Sequence, residues 1–268
     1  MSCIFWDCGT NQPEGAPARA PLPSERMVES ILKKIFTPVV DYYRDLRWSN
    51  LRSRKYSHLL LALYWPVYGL VFLSLERLLP LLFDIQYHEI SCALDAYIPF
   101  NELFVIPYYY WFAFLAGFGV FWLLYEPDVF RQWMWAIILT YSSTVVIYLV
   151  YPNMQALRPA EFPRDNILTD IVRGLYNFDT NTNVCPSIHV LGSMAVCFAG
   201  LHSRLLRGWG WKVFFVVSTV LISLSTVFLK QHSIIDVYAA LAVGAVCYAL
   251  QYWVAPRICA RRAERQQI

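Results

Sequence analysis

Apolar residues dominate six stretches of the chain, at about 57–79, 104–124, 133–151, 185–202, 211–229 and 234–255. Each comes near the roughly 20 residues a helix needs to cross a hydrocarbon core about 30 Å thick. Pro, Gly or charge bounds every one of them. The pattern predicts an all-α, polytopic membrane protein with six transmembrane helices. Residues 1–57 have no comparable run. Their Pro-containing opening, up to Pro23, predicts disorder. From Glu25 to about Trp48 apolar and basic residues interleave, as in Ile31, Leu32, Lys33, Lys34, Ile35 and Phe36. That mixture suits an amphipathic helix lying on a membrane surface, and equally a solvated helix or a linker. Nothing there resembles the apolar core of a secretory signal peptide. The expected organisation is a cytoplasmic N-terminal segment over 1–56, a six-helix membrane domain over 57–255 and a basic cytoplasmic tail over 256–268.

Composition closes off other classes. Hydrophobic residues make up 57% of the chain and charged residues 15%, against roughly 25% charged in an average soluble domain. A single soluble globule, a disordered chain and a disulfide-stapled secreted protein are excluded. The net charge of +3 is small, and no nucleic-acid partner is expected. Its placement says more. Nine Lys and Arg lie in the first 57 residues. Arg131, Arg204, Arg207, Lys212, Arg257, Arg261, Arg262 and Arg265 fall on the same side of the six-span pattern. Only Arg77, Arg158, Arg164, Arg173 and Lys230 fall on the other. Positive residues favour the cytoplasmic side, so both termini are expected there, in the plasma membrane, with 80–103, 152–184 and 230–233 facing outward. The seven cysteines contain no Cys-x-x-Cys pair. Whether Cys92 and Cys185, both expected outside, pair with each other is open, as is the oligomeric state.

Ionisable residues at membrane depth or at its edge mark function, and here they gather in three places on the expected outer side. The first, Tyr151 to Pro159, reads Tyr-Pro-Asn-Met-Gln-Ala-Leu-Arg-Pro. The second, Asn183 to His189, reads Asn-Val-Cys-Pro-Ser-Ile-His. The third runs from Ser225 to Asp236 and contains Lys230, His232 and Asp236. Pro186 suits the first turn of a helix, whose free N–H groups, with the Ser187 hydroxyl, make an anion site. His189 follows just inside, placed to donate a proton. His232 and Asp236, four apart, share a helix face, so the carboxylate can fix the imidazole tautomer and leave the other nitrogen free to attack. Arg158 offers a fork that matches phosphate oxygens. Each segment alone has a bland reading: a structural His, a solvated Arg, a capped helix start. Three together on one face are harder to assign to chance.

These segments resemble the three motifs of the type 2 phosphatidic acid phosphatase superfamily, whose pattern is Lys-x6-Arg-Pro, Pro-Ser-Gly-His and Ser-Arg-x5-His-x3-Asp. The resemblance spans about 151–236 and implies a catalytic trio of His232, His189 and Asp236. It also implies phosphate contacts from Arg158, Ser187 and Ser225. Three positions depart from the pattern: Tyr151 replaces the Lys, Ile188 the Gly and Thr226 the Arg. Lys230, two residues before His232, is placed with the phosphate contacts as a candidate for one of the two missing charges, with its direction open. Loss of these cations with the histidines kept is similar to the sphingomyelin-synthase and inositol-phosphorylceramide-synthase branch.

The expected activity is therefore that of a membrane lipid phosphatase working at the outer leaflet on a phospholipid or lipid phosphate. His232 would attack phosphorus and form a phosphohistidine, while His189 would protonate the leaving oxygen and then activate water. The scheme needs no metal and no other cofactor. A headgroup phosphotransferase using the same histidines is the alternative. A transporter or scaffold is more remote, because a transporter would place its ionisable groups near mid-span and show half-to-half repeats.

Overall fold

A computed structural model of the chain describes residues 23–255 and Arg257. The chain divides into two compact units, Met1–Asp45 and Leu46–Ile268. In the first, helix α1 (Pro23–Tyr43) is the described element. Its Met27, Ile31 and Ile35, and beside them Leu32, Phe36 and Val40, recur every fourth residue and are all exposed. Side chains four apart on a helix share a face, so α1 carries an unburied apolar stripe. The opening that reads as disordered, before Pro23, and nearly all of the basic tail lie outside the described residues.

The second unit is mostly helical. Helices α2 (His58–Leu82), α3 (Glu102–Tyr125), α4 (Pro127–Val150), α7 (Trp209–Phe228) and α8 (Ile234–Val254) are long and apolar enough to cross a membrane. Between them lie α5 (Ile167–Phe178) and α6 (Ile188–His202). The sequence pattern gave α6 a full crossing from 185, but the helix is apolar and only 15 residues long. The third stretch was expected to start at 133 and instead starts at Pro127, a residue suited to a first helical position. Asp128 and Arg131, which read as a loop, are helical and pair with each other at 2.6 Å. Arg131 also donates to the carbonyls of Arg54 and Lys55.

The short helix sits at the centre. Val190, Leu191, Val196 and Ala199 of α6 are fully buried and pack among α4, α7 and α8. Two glycines make room for that enclosure. A Cβ on Gly192 would stand 2.5 Å from the Tyr141 hydroxyl, and one on Gly200 2.4 Å from the Phe215 ring. Small residues let membrane helices approach in this way. Behind α6, Glu126 fixes the turn between α3 and α4 to the α6–α7 connection, accepting the Ser203 hydroxyl and the Arg204 amide.

At the opposite end, the long connections are structured. Strand β1 (His88–Glu89) pairs in parallel with β2 (Asn153–Met154), His88 opposite Asn153. Helix α5, within the loop expected over 152–184, starts at an Asn166 cap whose side chain accepts the Leu168 and Thr169 amides. Its Val172 and Leu175 pack with Val105, Tyr108 and Leu229. Helix α2 widens to a π-helical turn over Ser74–Leu78, which buries Glu76. Glu76 accepts the side chains of Thr180, Thr182 and Asn183, so α2 holds the strand of chain that leads into α6.

Candidate active site

Everything around the site starts from how α6 is held at its first residue. Asn153 is fully buried, and its Oδ1 accepts the amides of Val184 (2.9 Å) and Cys185 (2.8 Å). Its Nδ2 donates to the carbonyls of Tyr151 and Cys185. Two tyrosines of α4 complete the frame: Tyr148 donates to the Pro186 carbonyl at 2.7 Å and Tyr141 to that of Ile188 at 3.2 Å. Pro186 was expected in the first helical turn. It lies one residue outside, because Ser187 is the N-cap and Ile188 the first helical residue. The Ser187 hydroxyl is buried with no protein partner, beside the first-turn N–H groups that a helix leaves unpaired. The ring of His189 is held between Tyr108 and Trp111, with centroids 4.6 and 4.4 Å away, and its Nδ1 is buried without a partner.

Across from it stands His232. Its Nδ1 meets Oδ2 of the fully buried Asp236 at 3.1 Å. The same oxygen accepts the Ser233 amide at 3.0 Å. That contact commits Nδ1 and leaves Nε2 available to other partners. The two histidine centroids are 5.7 Å apart. The expected trio His189, His232 and Asp236 is therefore brought together.

A residue the sequence reading missed holds the second histidine. Asp95, from the connection between α2 and α3, is almost fully buried. Its carboxylate accepts the Ser233 hydroxyl (2.6 Å) and the Ile234 amide (2.9 Å) at the start of α8, and the Cys92 amide (2.9 Å). Burial pushes its carboxyl up, but these donors outweigh burial and hold it below the usual carboxylate range. Ser233 is the N-cap of α8, its hydroxyl accepting the Ile235 amide, and Asp95 reinforces that cap from another part of the chain. Replacing a cap costs about 0.5–2 kcal/mol. Asp95→Ala is expected to lower the thermal midpoint and to reduce turnover far more than substrate affinity, measured by unfolding and by separate kcat and KM values. A variant with unchanged kcat would remove Asp95 from the positioning of His232.

The expected phosphate ligands divide. Arg158 is at the site but is already occupied. It donates to the carbonyls of Tyr176 (3.0 Å), Asp179 (2.9 Å) and Thr180 (2.9 Å), and to Gln231 Oε1 (2.6 Å), next to His232. It also lies over the Tyr176 ring. It is a clamp, with only Nε buried and unpartnered. Lys230 does not reach the pair. Its backbone is left-handed (φ 54°), and its ammonium donates to the Asp95 carbonyl at 2.7 Å in a separate cavity lined by Cys92, Ala156, Leu157 and Pro159. Ser225 is fully buried and donates to the Ile222 carbonyl within α7. Ser187 keeps its expected place.

The departures from the motif pattern are equally placed. Thr226 donates to the Ser223 carbonyl, and its own carbonyl accepts the His232 amide at 3.1 Å. Tyr151 stacks on His88 at 4.3 Å. Arg164 pairs with Glu102, and Arg173 with Asp165 and Asp170. Cys92 and Cys185 are free thiols; burial, with the Asp236 charge second, pushes Cys185 up to about 12.

Neither a family model, nor a curated protein, nor a solved structure matches this chain. The functional reading rests on the site itself.

Proposed function

We propose that the chain is an integral-membrane enzyme that cleaves a phosphate ester of a lipid through a phosphohistidine on His232. One observation carries the reading. Two buried imidazoles face each other at 5.7 Å, one oriented by a carboxylate, the other beside an unpartnered hydroxyl and a helix N-terminus. A phosphoryl group between them would meet a nucleophile on one side and a proton donor on the other. The Nε2 lone pair of His232 forms the N–P bond. The ester oxygen leaves with its bonding pair and takes a proton from His189, whose charged form the anionic phosphoryl group favours. Neutral His189 then removes a proton from water as the water oxygen bonds to phosphorus and the N–P bond breaks. Asp236 stabilises the charge that develops on the His232 ring, and the Ser187 hydroxyl and the first N–H groups of α6 steady the equatorial oxygens. The motif resemblance to the type 2 phosphatidic acid phosphatases supports the same roles.

The lipid part of the reading rests on a groove of about 470 Å³ between α2, α3 and α4, lined by Trp65, Trp111, Ala116, Val120 and Trp133 among others, all apolar. Trp111 is shared: one side borders the groove, the other packs on His189. An acyl chain in the groove would bring its phosphate to the histidines. In this reading α6 completes six spans, both termini are cytoplasmic in the plasma membrane, the site opens to the outer leaflet, and the stripe of α1 lies on the membrane surface.

Water is the first acceptor proposed. Transfer to a lipid alcohol is the second reading, favoured by the diversion of Lys230 to Asp95 and the neutral side chains at Tyr151 and Thr226. Purified protein given a labelled phospholipid, with and without added diacylglycerol or ceramide, separates the two. Free phosphate, or from a diester lipid a released phosphate monoester, identifies hydrolysis, and a new phospholipid identifies transfer; the absence of all these products ends the enzymatic reading.

A further inference from the structure

Asp179, the residue that ends α5, plays no part in the mechanism above, yet it is tied to both histidines through their neighbours. Its Oδ2 accepts the Tyr108 hydroxyl at 2.9 Å, and the Tyr108 ring lies 4.6 Å from that of His189. Its main-chain carbonyl accepts Arg158, the guanidinium that also holds Gln231 beside His232. His232, Arg158 and Arg77 are within electrostatic reach of the carboxylate, and Glu76 lies on its far flank. Arg158 directs its hydrogen bonds to carbonyls and to Gln231, so among the described contacts no guanidinium hydrogen bond neutralises Asp179. Burial raises its carboxyl above the usual range, with Tyr108 and the nearby cations pulling it back.

The charge around the histidines is therefore unusual for a phosphate site. Positions where the resembling motifs carry Lys and Arg hold Tyr151 and Thr226, Lys230 faces another cavity, and an acid has been added. We propose that Asp179 is a specificity residue that disfavours doubly charged phosphate monoesters and admits singly charged phosphodiester lipids. The inference rests on the phosphoester-cleaving reading of this site and narrows its substrate class. A phosphate monoester carries about −1.5 to −2 at neutral pH, close to one charge more than a diester. That extra charge would be held in the same partly buried site as the Asp179 carboxylate, where charge repulsion is strong.

The test compares kcat/KM for phosphatidic acid, a monoester, with that for phosphatidylcholine, a diester, in the full-length protein and in Asp179→Asn, Asp179→Ser and Asp179→Glu. Either folded neutral variant is expected to raise the monoester-to-diester ratio by at least about tenfold, the order set by removing one nearby charge. Asp179→Glu should leave that ratio close to the natural one. Folded neutral variants that turn over both lipids at the natural ratio would overturn the role of Asp179 and leave the histidine chemistry standing. A natural chain that turns over neither lipid overturns the enzymatic reading, and this inference with it.

Discussion

His232→Ala is expected to abolish turnover, by at least about a thousandfold, while the protein stays folded. The size follows from what the side chain does: without Nε2 no phosphoenzyme forms, and the remaining donors can only assist direct attack by water, a residue of catalysis known from other nucleophile deletions. The fold should tolerate the loss. Asp236 keeps its bond from the Ser233 amide, Asp95 still reinforces the cap of α8, and the His232 amide still reaches the Thr226 carbonyl. Thermal unfolding and activity on one labelled phospholipid are the two measurements. Ordinary activity in this variant would end the phosphohistidine mechanism.

His189→Ala is expected to separate the two half-reactions. On a natural lipid it should be nearly inactive, because an alkoxide leaving group needs a proton. On a nitrophenyl phosphoester, whose leaving group departs unprotonated, His232 should still be phosphorylated. Release then lacks its base, and phosphoenzyme should accumulate to one group per chain, visible as a burst of nitrophenol and a matching mass increase. Added imidazole can enter the space between Tyr108 and Trp111 and should restore release. A variant that turns over the activated ester steadily, with no burst, would remove His189 from the second step.

The grouping of His189, His232 and Asp236 was legible because the pattern that marks each part is local in sequence. His232 and Asp236 are one helical turn apart, and Ser187 and His189 sit at a helix start, so spacing alone points their side chains. The five long helices were legible for a similar reason, through their length and apolarity. What escaped were relations between segments. Nothing near Asp95 announces that it reinforces the cap of a helix 139 residues later, and Asp179 looks like an ordinary loop acid until Tyr108 is found on it. The placement of Lys230 on the Asp95 carbonyl was not legible, since its left-handed backbone leaves no mark in the sequence, and neither were the three carbonyls that Arg158's fork holds. Helix α5 lies within the loop expected over 152–184, although Leu168, Val172, Leu175 and Tyr176 recur at helical spacing behind the Asn166 and Thr169 capping pair, and both were usable signals.

The dependence of α8 on Asp95 has a consequence for biosynthesis. His232 and Asp236 are made after Asp95, which fixes the start of α8. A chain synthesised only as far as α7 would carry every residue that lines the apolar groove and would still lack His232. In the proposed mechanism the histidine pair is complete only once α8 has docked against Asp95.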